Sequence, residues 1–143
     1  LICICIHGTL FFAQMGDGMI CLNSNDESIY SSDFIVDDKS DSFSNVTDAF
    51  SNTFDLNKFI TKKIESKYLN SIVMTTDGIS DDIKPELRID FARSISNECC
   101  LSSSRRNNSM LKKMLIEWPV PKHSDDKTII VIVNKTKFQE EKN

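Results

Sequence analysis

Short apolar runs separated by polar turns are the main pattern along the chain, and each run has the length of a strand rather than of a helix. The first two runs are separated by His7-Gly8, and two such runs joined by a glycine-containing turn are typical of a β-hairpin. A later run stops abruptly at Asp77-Gly78. We therefore predict strands in five places, namely residues 1–6, 9–15, 19–22, 69–76 and 128–133.

Two helices are predicted between the last two strands. The first begins at about Pro85, because proline suits the first turn of a helix. Its apolar stripe at helical spacing consists of Leu87, Phe91, Ala92, Ile95 and Cys99. The polar run 102–109 is expected to interrupt the helical pattern. A second helix follows, marked by Met110, Leu111, Met114, Leu115 and Trp118, and Pro119 and Pro121 end it.

A long polar stretch runs from Asn23 to about Asn57, with isolated aromatic residues returning within it. Such a composition cannot bury enough apolar area to hold one conformation firmly. Long excursions inside a domain are often functional lids or flaps. We therefore expect 23–57 to be a flap-like excursion that lies over or beside the site.

Charge and composition exclude several classes of protein. The 143 residues include 21 Asp and Glu against 17 Lys and Arg, for a formal net charge of −4. A nucleic-acid-binding protein normally shows a basic face, so we expect no nucleic-acid partner. No apolar run approaches the ~20 residues needed to span a bilayer, so we expect no membrane partner.

The five cysteines do not form a recognisable zinc or disulfide pattern. No Cys-x-x-Cys occurs, and the only histidines are His7 and His123, so the spacing of a zinc site is absent. Cys3 and Cys5 alternate with isoleucine and should share one face of a strand, where they cannot easily pair with each other. We interpret the cysteines as small buried apolar residues in a reducing compartment, which predicts a cytoplasmic protein.

Acidic turns at strand ends supply the candidate functional residues of this chain. Three of its four glycines flank an aspartate, in Gly16-Asp17-Gly18 and in Asp77-Gly78. Asp125-Asp126 leads into the last strand, and Asp81 and Asp82 follow Asp77 within about one helical turn. Carboxylates at rigid strand ends suit a hard cation such as Mg²⁺ or Mn²⁺. The alternative is that they are ordinary turn residues, since Asp and Gly favour turns.

The same residues carry a resemblance to a known family. The strings TLFFAQMGDGMICL, IVMTTDGISDD and HSDDKTIIVIV occur in this order. They resemble three motifs of the metal-dependent protein phosphatases of the 2C class, most closely the shorter, often bacterial, branch. The segment FSNVTDAF also looks like the Asn-Glu-Thr segment of that branch. Gly18 stands where many members of the family have serine.

The resemblance implies a fold, a reaction and a set of ligands. The fold would be α+β, part of an α-β-β-α sandwich of two mainly antiparallel sheets with flanking helices. The reaction would be hydrolysis of phosphoserine or phosphothreonine in a phosphorylated protein, by water activated on Mg²⁺ or Mn²⁺, with two or more ions. Asp77 and Asp125 would bind one of two central metals, while Asp17 and Asp81 would hold a weaker, additional ion with Asp77. No catalytic side chain is identified beyond these ligands.

Two earlier motifs of that family have no counterpart in this sequence. They are the metal motif Asp-Gly-x-x-Gly and a still earlier motif that carries an arginine. The chain therefore resembles the C-terminal portion of such a domain over residues 1–134, followed by a charged tail at 135–143, and we expect the fragment alone to be inactive. His123 matches no catalytic role in the family and is interpreted as an ordinary loop residue.

Three hypotheses about function remain open at this point. The first is part of a serine/threonine phosphatase, and the second is a phosphatase-like module that binds or senses without turnover. The third is a small acidic interaction domain in which the Asp-Gly turns are only turns. The sequence leaves the substrate and the oligomeric state open.

Overall fold

The computed structural model describes residues 1–14, 16, 18–24, 60–120 and 125–136. Asp17, His123, the FSNVTDAF segment, the charged tail beyond 136 and nearly all of the predicted flap lie outside the described residues. The described part contains six strands, at Ile2–Ile6 (β1), Thr9–Gln14 (β2), Met19–Asn23 (β3), Ile60–Glu65 (β4), Ser71–Thr75 (β5) and Ile129–Val133 (β6). It also contains three α-helices, at Asp77–Ser80 (α1), Arg88–Leu101 (α2) and Ser104–Ile116 (α3).

The strands form two antiparallel sheets, which we call sheet A and sheet B. Sheet A has the order β1-β2-β4, and sheet B has the order β3-β5-β6. The predicted hairpin is present, with Ile6 paired to Thr9 across His7-Gly8. In sheet B, Thr75 pairs with Met19 on one side and with Ile129 on the other. With flanking helices, this arrangement is the predicted α+β sandwich.

The core consists of two layers, one on each face of sheet B. The first layer lies between the two sheets and comprises Leu10, Phe12, Ile20, Leu22, Ile64, Leu69, Ile72 and Met74. The second layer lies beneath α2, where Ala92 packs with Met19, Cys21 and Val73. Every residue of β5 is buried because the strand is covered on both faces.

A partly buried polar contact ties α2 to the far end of sheet B. Asn23 pairs with Ser71 in the sheet, and the Asn23 side-chain amide donates to the Ser71 hydroxyl at 2.7 Å and to the Ser96 hydroxyl at 3.1 Å. Both serines are buried. The contact therefore joins β3, β5 and α2 at one point.

The helices differ from the prediction at two points. The polar run 102–109 was expected to interrupt the helix, but α3 already begins at Ser104, because the Ser103 hydroxyl caps it by accepting from the Arg106 amide at 3.4 Å. Leu87 was expected in the buried stripe of the first helix. It is 50% exposed, since it precedes α2 at the end of the short 3₁₀ turn Pro85–Leu87.

The cysteines are all free thiols, and their burial is mixed. Cys21 and Cys99 are buried as expected, whereas Cys3 and Cys100 are half-buried and Cys5 is exposed. The expectation of uniform burial is therefore wrong for Cys5, because β1 has little covering its surface in the described part of the chain. Among the described helices, none has both the length and the apolar content needed to cross a membrane.

Candidate metal centre

The Asp-Gly turn at the end of β5 places the first candidate ligand. β5 ends at Thr75, and Asp77 opens the single turn α1. The Asp77 carboxylate accepts from the Gly78 amide at 2.8 Å, and the Asp77 carbonyl accepts from the Asp81 amide at 2.9 Å. Asp77 is half-buried. The turn therefore holds its carboxylate at the end of a fully buried strand.

The segment before β6 is fixed against this turn by Thr76. The Thr76 amide donates to the Thr128 carbonyl at 3.1 Å, and the Thr128 amide donates to the Thr76 hydroxyl at 3.0 Å. The Thr76 hydroxyl in turn donates to the Asp126 carbonyl at 3.0 Å. These bonds carry the β5–β6 pairing one residue past the end of each strand.

Gly78 lets the two acidic turns approach at backbone distance. A Cβ at this position would lie 2.6 Å from the Asp126 carbonyl oxygen and 3.2 Å from the Asp125 Cβ. The first distance is shorter than a side chain tolerates, so glycine is needed for close approach rather than for an unusual backbone angle. As a result Asp77 and Asp125, far apart in the sequence, lie on adjoining backbone.

Gly18 reaches the same end of sheet B. A Cβ on Gly18 would lie 2.6 Å from the Thr75 carbonyl oxygen, and the next residue, Met19, pairs with Thr75. The buried side chain of Gln14 donates to the Gly16 and Gly18 carbonyls at 3.2 and 2.5 Å. The residues that flank Asp17 in the sequence are therefore held beside the end of β5.

Asp81 lies beside a buried cation that the sequence did not reveal. The Arg88 Nη2 atom is 3.9 Å from the Asp81 carboxylate, and the Arg88 Nε–H donates to the carbonyls of Ser80 and Ile83 at 3.1 and 3.3 Å. Arg88 is buried, and it connects the first turn of α2 to α1. Its guanidinium therefore fixes the C-terminal end of the Asp77–Ser80 turn.

Asp82 has a structural position rather than that of a ligand. Its carboxylate accepts from the Trp118 indole N–H at 2.7 Å and lies 3.6 Å from the Lys127 ammonium. The Asp82 side chain is 7% exposed and that of Lys127 is 12% exposed. The Trp118 ring also packs edge-to-face on Phe91, with centroids 6.1 Å apart. Asp82 thus joins the end of α3 to the segment that leads into β6.

The described residues support a pair of adjacent candidate ligands. Asp77 and Asp125 lie on adjoining backbone, and Asp81 is one helical turn from Asp77. Residues 1–14, 16, 18–24, 60–120 and 125–136 contain no group of three or more His, Cys, Asp or Glu side chains that could hold a metal ion. Magnesium is commonly held by one or two carboxylates and several waters, so the oxygen donors of Asp77 and Asp125 fit such an ion. The assignment of Asp77, Asp125, Asp81 and Asp17 as ligands stays a prediction.

One comparison with known proteins agrees with the resemblance seen in the sequence. A family model described as Protein phosphatase 2C matches residues 1–116, which is most of the chain. The matched range includes Asp17, Asp77 and Asp81, and it ends before Asp125. No curated protein matches the chain, and neither does any solved structure.

Proposed function

The chain belongs to the protein phosphatase 2C family, and on that premise we propose that it takes part in metal-dependent hydrolysis of phosphoserine or phosphothreonine in proteins. The observation that carries the proposal is the contact of Gly78 with Asp125-Asp126. This contact brings together two carboxylate-bearing turns that the sequence separates.

The ligands in this proposal are Asp77 and Asp125 for a central Mg²⁺ or Mn²⁺, with Asp81 and Asp17 contributing to an additional ion. An ion held there would supply Lewis-acid chemistry, lowering the pKa of a bound water toward neutrality. The residues of the chain orient the ligands. Thr76 holds the two turns in register, and Arg88 restrains the turn that carries Asp81.

We further propose that the chain supplies the C-terminal portion of the catalytic domain, of the shorter branch. The motifs it carries are the later ones of the family, and Asp-Gly-x-x-Gly does not occur in its sequence. A phosphatase-like binding or sensor module is the second candidate function, and an upstream Asp-Gly-x-x-Gly motif in the longer protein would distinguish the enzyme from it. Retention of Asp77, Asp81 and Asp125 favours the enzyme.

A metal titration of the 143-residue chain tests the ligand assignment without relying on activity. We expect Mn²⁺ to stabilise the fold, since a ligand at 100 times its Kd contributes about 2.7 kcal/mol. Asp77→Asn and Asp125→Asn should each remove most of this stabilisation. Asp126→Asn is the matched control, because the contacts of Thr76 and Gly78 with Asp126 involve its backbone carbonyl. Equal Mn²⁺ stabilisation in all three variants would overturn the assignment.

A phosphatase assay then separates the enzyme from the binding module. The 143-residue chain should show little or no turnover of p-nitrophenyl phosphate with Mn²⁺, because the ligand of the Asp-Gly-x-x-Gly motif is absent. A longer protein that encodes this motif should hydrolyse a phosphothreonine peptide and lose most activity on Asp77→Asn. Metal binding without turnover in that longer protein would favour the sensor module.

A further inference from the structure

The ion pair of Asp82 with Lys127 is largely buried, and one carboxylate oxygen carries it. The Asp82 Oδ2 atom lies 3.6 Å from the Lys127 ammonium and also accepts from the Trp118 indole N–H at 2.7 Å. Charged side chains are rarely buried this far unless they are paired. A buried ion pair is often no more stabilising than an apolar pair of similar volume, because both charges lose water. Stability alone therefore gives no particular reason for charges at these two positions.

Asp82 belongs to the turn that carries the first candidate ligand. Asp77 opens α1, and directly after that helix the Asp82 amide donates to the Ile79 carbonyl at 3.2 Å. The indole that donates to the Asp82 carboxylate is itself held against α2, where the Trp118 ring packs edge-to-face on Phe91. Asp82 is therefore fixed in its backbone to the Asp77 turn and in its side chain to the helices.

Lys127 belongs to the segment that carries the second candidate ligand. Asp125 is exposed, so burial does not fix its position. The contact of Thr76 with this segment is at the Asp126 carbonyl, one residue later. The Lys127 ammonium lies 3.5 Å from the Asp125 carbonyl and also contacts the Asp82 carboxylate. Lys127 therefore extends the attachment of this segment to Asp125 itself.

We propose that Asp82 and Lys127 are positioning residues of the candidate metal centre, a proposal that rests on the function proposed above. Their ion pair joins the Asp77 turn to the Asp125 segment and so sets the separation of the two ligand carboxylates. Trp118 orients the Asp82 carboxylate for this contact. Functional groups must be held to within about 0.5 Å of their working geometry. Substitution of the partners behind metal ligands commonly changes metal affinity roughly 10- to 100-fold.

Calorimetric titration of the full chain with Mn²⁺ separates positioning from simple electrostatics. Lys127→Met removes a positive charge beside a cation site, so Coulomb interactions alone would make Mn²⁺ binding tighter. Positioning predicts the opposite, namely a Kd raised roughly 10-fold or more. Lys113→Met is the matched control, because it removes the same charge from the exposed pair of Lys113 with Glu117 on α3. The control should change the Kd less than about twofold. A Kd that Lys127→Met lowers or leaves unchanged would contradict the proposal.

The double variant Asp82→Asn/Lys127→Met separates positioning from a purely structural role. It keeps the net charge of the parent, and asparagine retains an oxygen acceptor for the Trp118 indole. Because both charges of the pair are removed together, urea denaturation should show a more stable fold than in Lys127→Met alone. The Kd for Mn²⁺ should nevertheless stay roughly 10-fold above that of the parent, since the connection between the two turns is lost. The double variant also provides the test should Lys127→Met fail to fold. Recovery of the parent Kd in the double variant would show that the pair is only structural and would rule out positioning.

Hydrogen exchange without metal tests the connection between the turns independently of the proposed function. The Thr128 amide, which donates to the Thr76 hydroxyl, should exchange at least about 10-fold faster in the double variant than in the parent. The control is the Asn134 amide, which donates to the Asn70 carbonyl after the other end of β6 and should keep its rate. Unchanged exchange at Thr128 would overturn the proposal. Faster exchange at Thr128, in a chain whose parent binds no Mn²⁺, would overturn the proposed function while supporting the connection made by the ion pair.

Discussion

Sheet A and sheet B have similar sizes but very different surroundings. Sheet B is covered by sheet A on one face and by α2 on the other, so that all five residues of β5 are buried. In sheet A, four of the five residues of β1 are exposed in the described part of the chain. The candidate ligands Asp77 and Asp125 lie at the end of the covered sheet. A ligand set needs rigid support, and the covered sheet supplies it.

Substitution of one isoleucine in each sheet should give the largest contrast. Ile20 is fully buried in sheet B and Ile4 is 51% exposed in sheet A. Ile20→Ala should lower the free energy of unfolding by roughly 2–5 kcal/mol, because it leaves a cavity between the sheets. Ile4→Ala should cost less than about 0.5 kcal/mol, as is usual at the surface. Urea denaturation measures both values, and similar losses would contradict the contrast.

Removal of the Asp82 carboxylate should give the next largest loss in the free energy of unfolding. Asp82→Ala leaves the Lys127 ammonium, 12% exposed, without this partner and removes the acceptor of the Trp118 indole. Removing one partner of a buried ion pair costs roughly 3–5 kcal/mol of stability. Because Lys127 and Asp82 are slightly exposed, we expect a loss of about 3 kcal/mol, at the lower end of this range. The exposed Asp126 provides the control, since Asp126→Ala should lower the free energy of unfolding far less. Trp118 fluorescence should report the change at α3 directly.

Two glycine substitutions compare a turn at the end of sheet B with the hairpin turn of sheet A. Gly78→Ala, at the end of sheet B, places a Cβ 2.6 Å from a carbonyl oxygen, and we expect a loss of roughly 1–3 kcal/mol together with weaker Mn²⁺ binding. Gly8→Ala, in the hairpin of sheet A, meets its nearest atom at 3.8 Å and is strained only by its φ of 77°. That variant should lose about 1–2 kcal/mol and keep Mn²⁺ binding. Unchanged Mn²⁺ binding in Gly78→Ala would contradict the role of the close contact.

Raising the pH into the alkaline range should produce the smallest change in the free energy of unfolding. Burial raises the pKa of the thiol of Cys99, a buried residue of α2, and the charge of Glu98 raises it further. Above the ordinary thiol pKa of about 8.5, the unfolded chain loses this proton while the folded chain keeps it. The stability that the neutral thiol contributes is therefore present at lower pH and is lost as pH rises through the folded pKa. The free energy of unfolding should fall less between pH 8 and pH 10 in Cys99→Ala than in the parent chain.

The apolar strands could be predicted from sequence, but the charged one could not. β5 and β6 are continuous apolar runs, and their bounds agree with the prediction within two residues. β4 reads Ile-Thr-Lys-Lys-Ile-Glu and lacks such a run, because it lies at the edge of sheet A in the described part of the chain. β4 is a strand because it pairs with β2, although its composition does not predict one. The start of α3 in a polar run was missed for a different reason, since its helical state there depends on the Ser103 cap.

The candidate site was likewise predictable only in part, since some of its features depend on tertiary contacts. The Asp-Gly turns were visible in the sequence, and the meeting of Asp77 with the Asp125-Asp126 turn followed from the antiparallel neighbours β5 and β6. The separate roles of Asp81 and Asp82 were not visible. They depend on Arg88, Trp118 and Lys127, which reach the turn only through tertiary packing. Adjacent aspartates of the same type therefore differ in function according to which cation or donor lies beside each.

The contact of Asn23 with Ser71 and Ser96 has a consequence for how the chain assembles. A slip of β3 by one residue along β5 would turn every β3 side chain to the opposite face of the sheet. The Asn23 amide would then be buried without its two hydroxyl acceptors, at a cost of about 1–3 kcal/mol. Apolar residues on both faces of β3 cannot by themselves penalise such a slip, since Ile20 and Cys21 are both fully buried. One polar side chain thus selects the native pairing among alternatives that hydrophobic burial would accept.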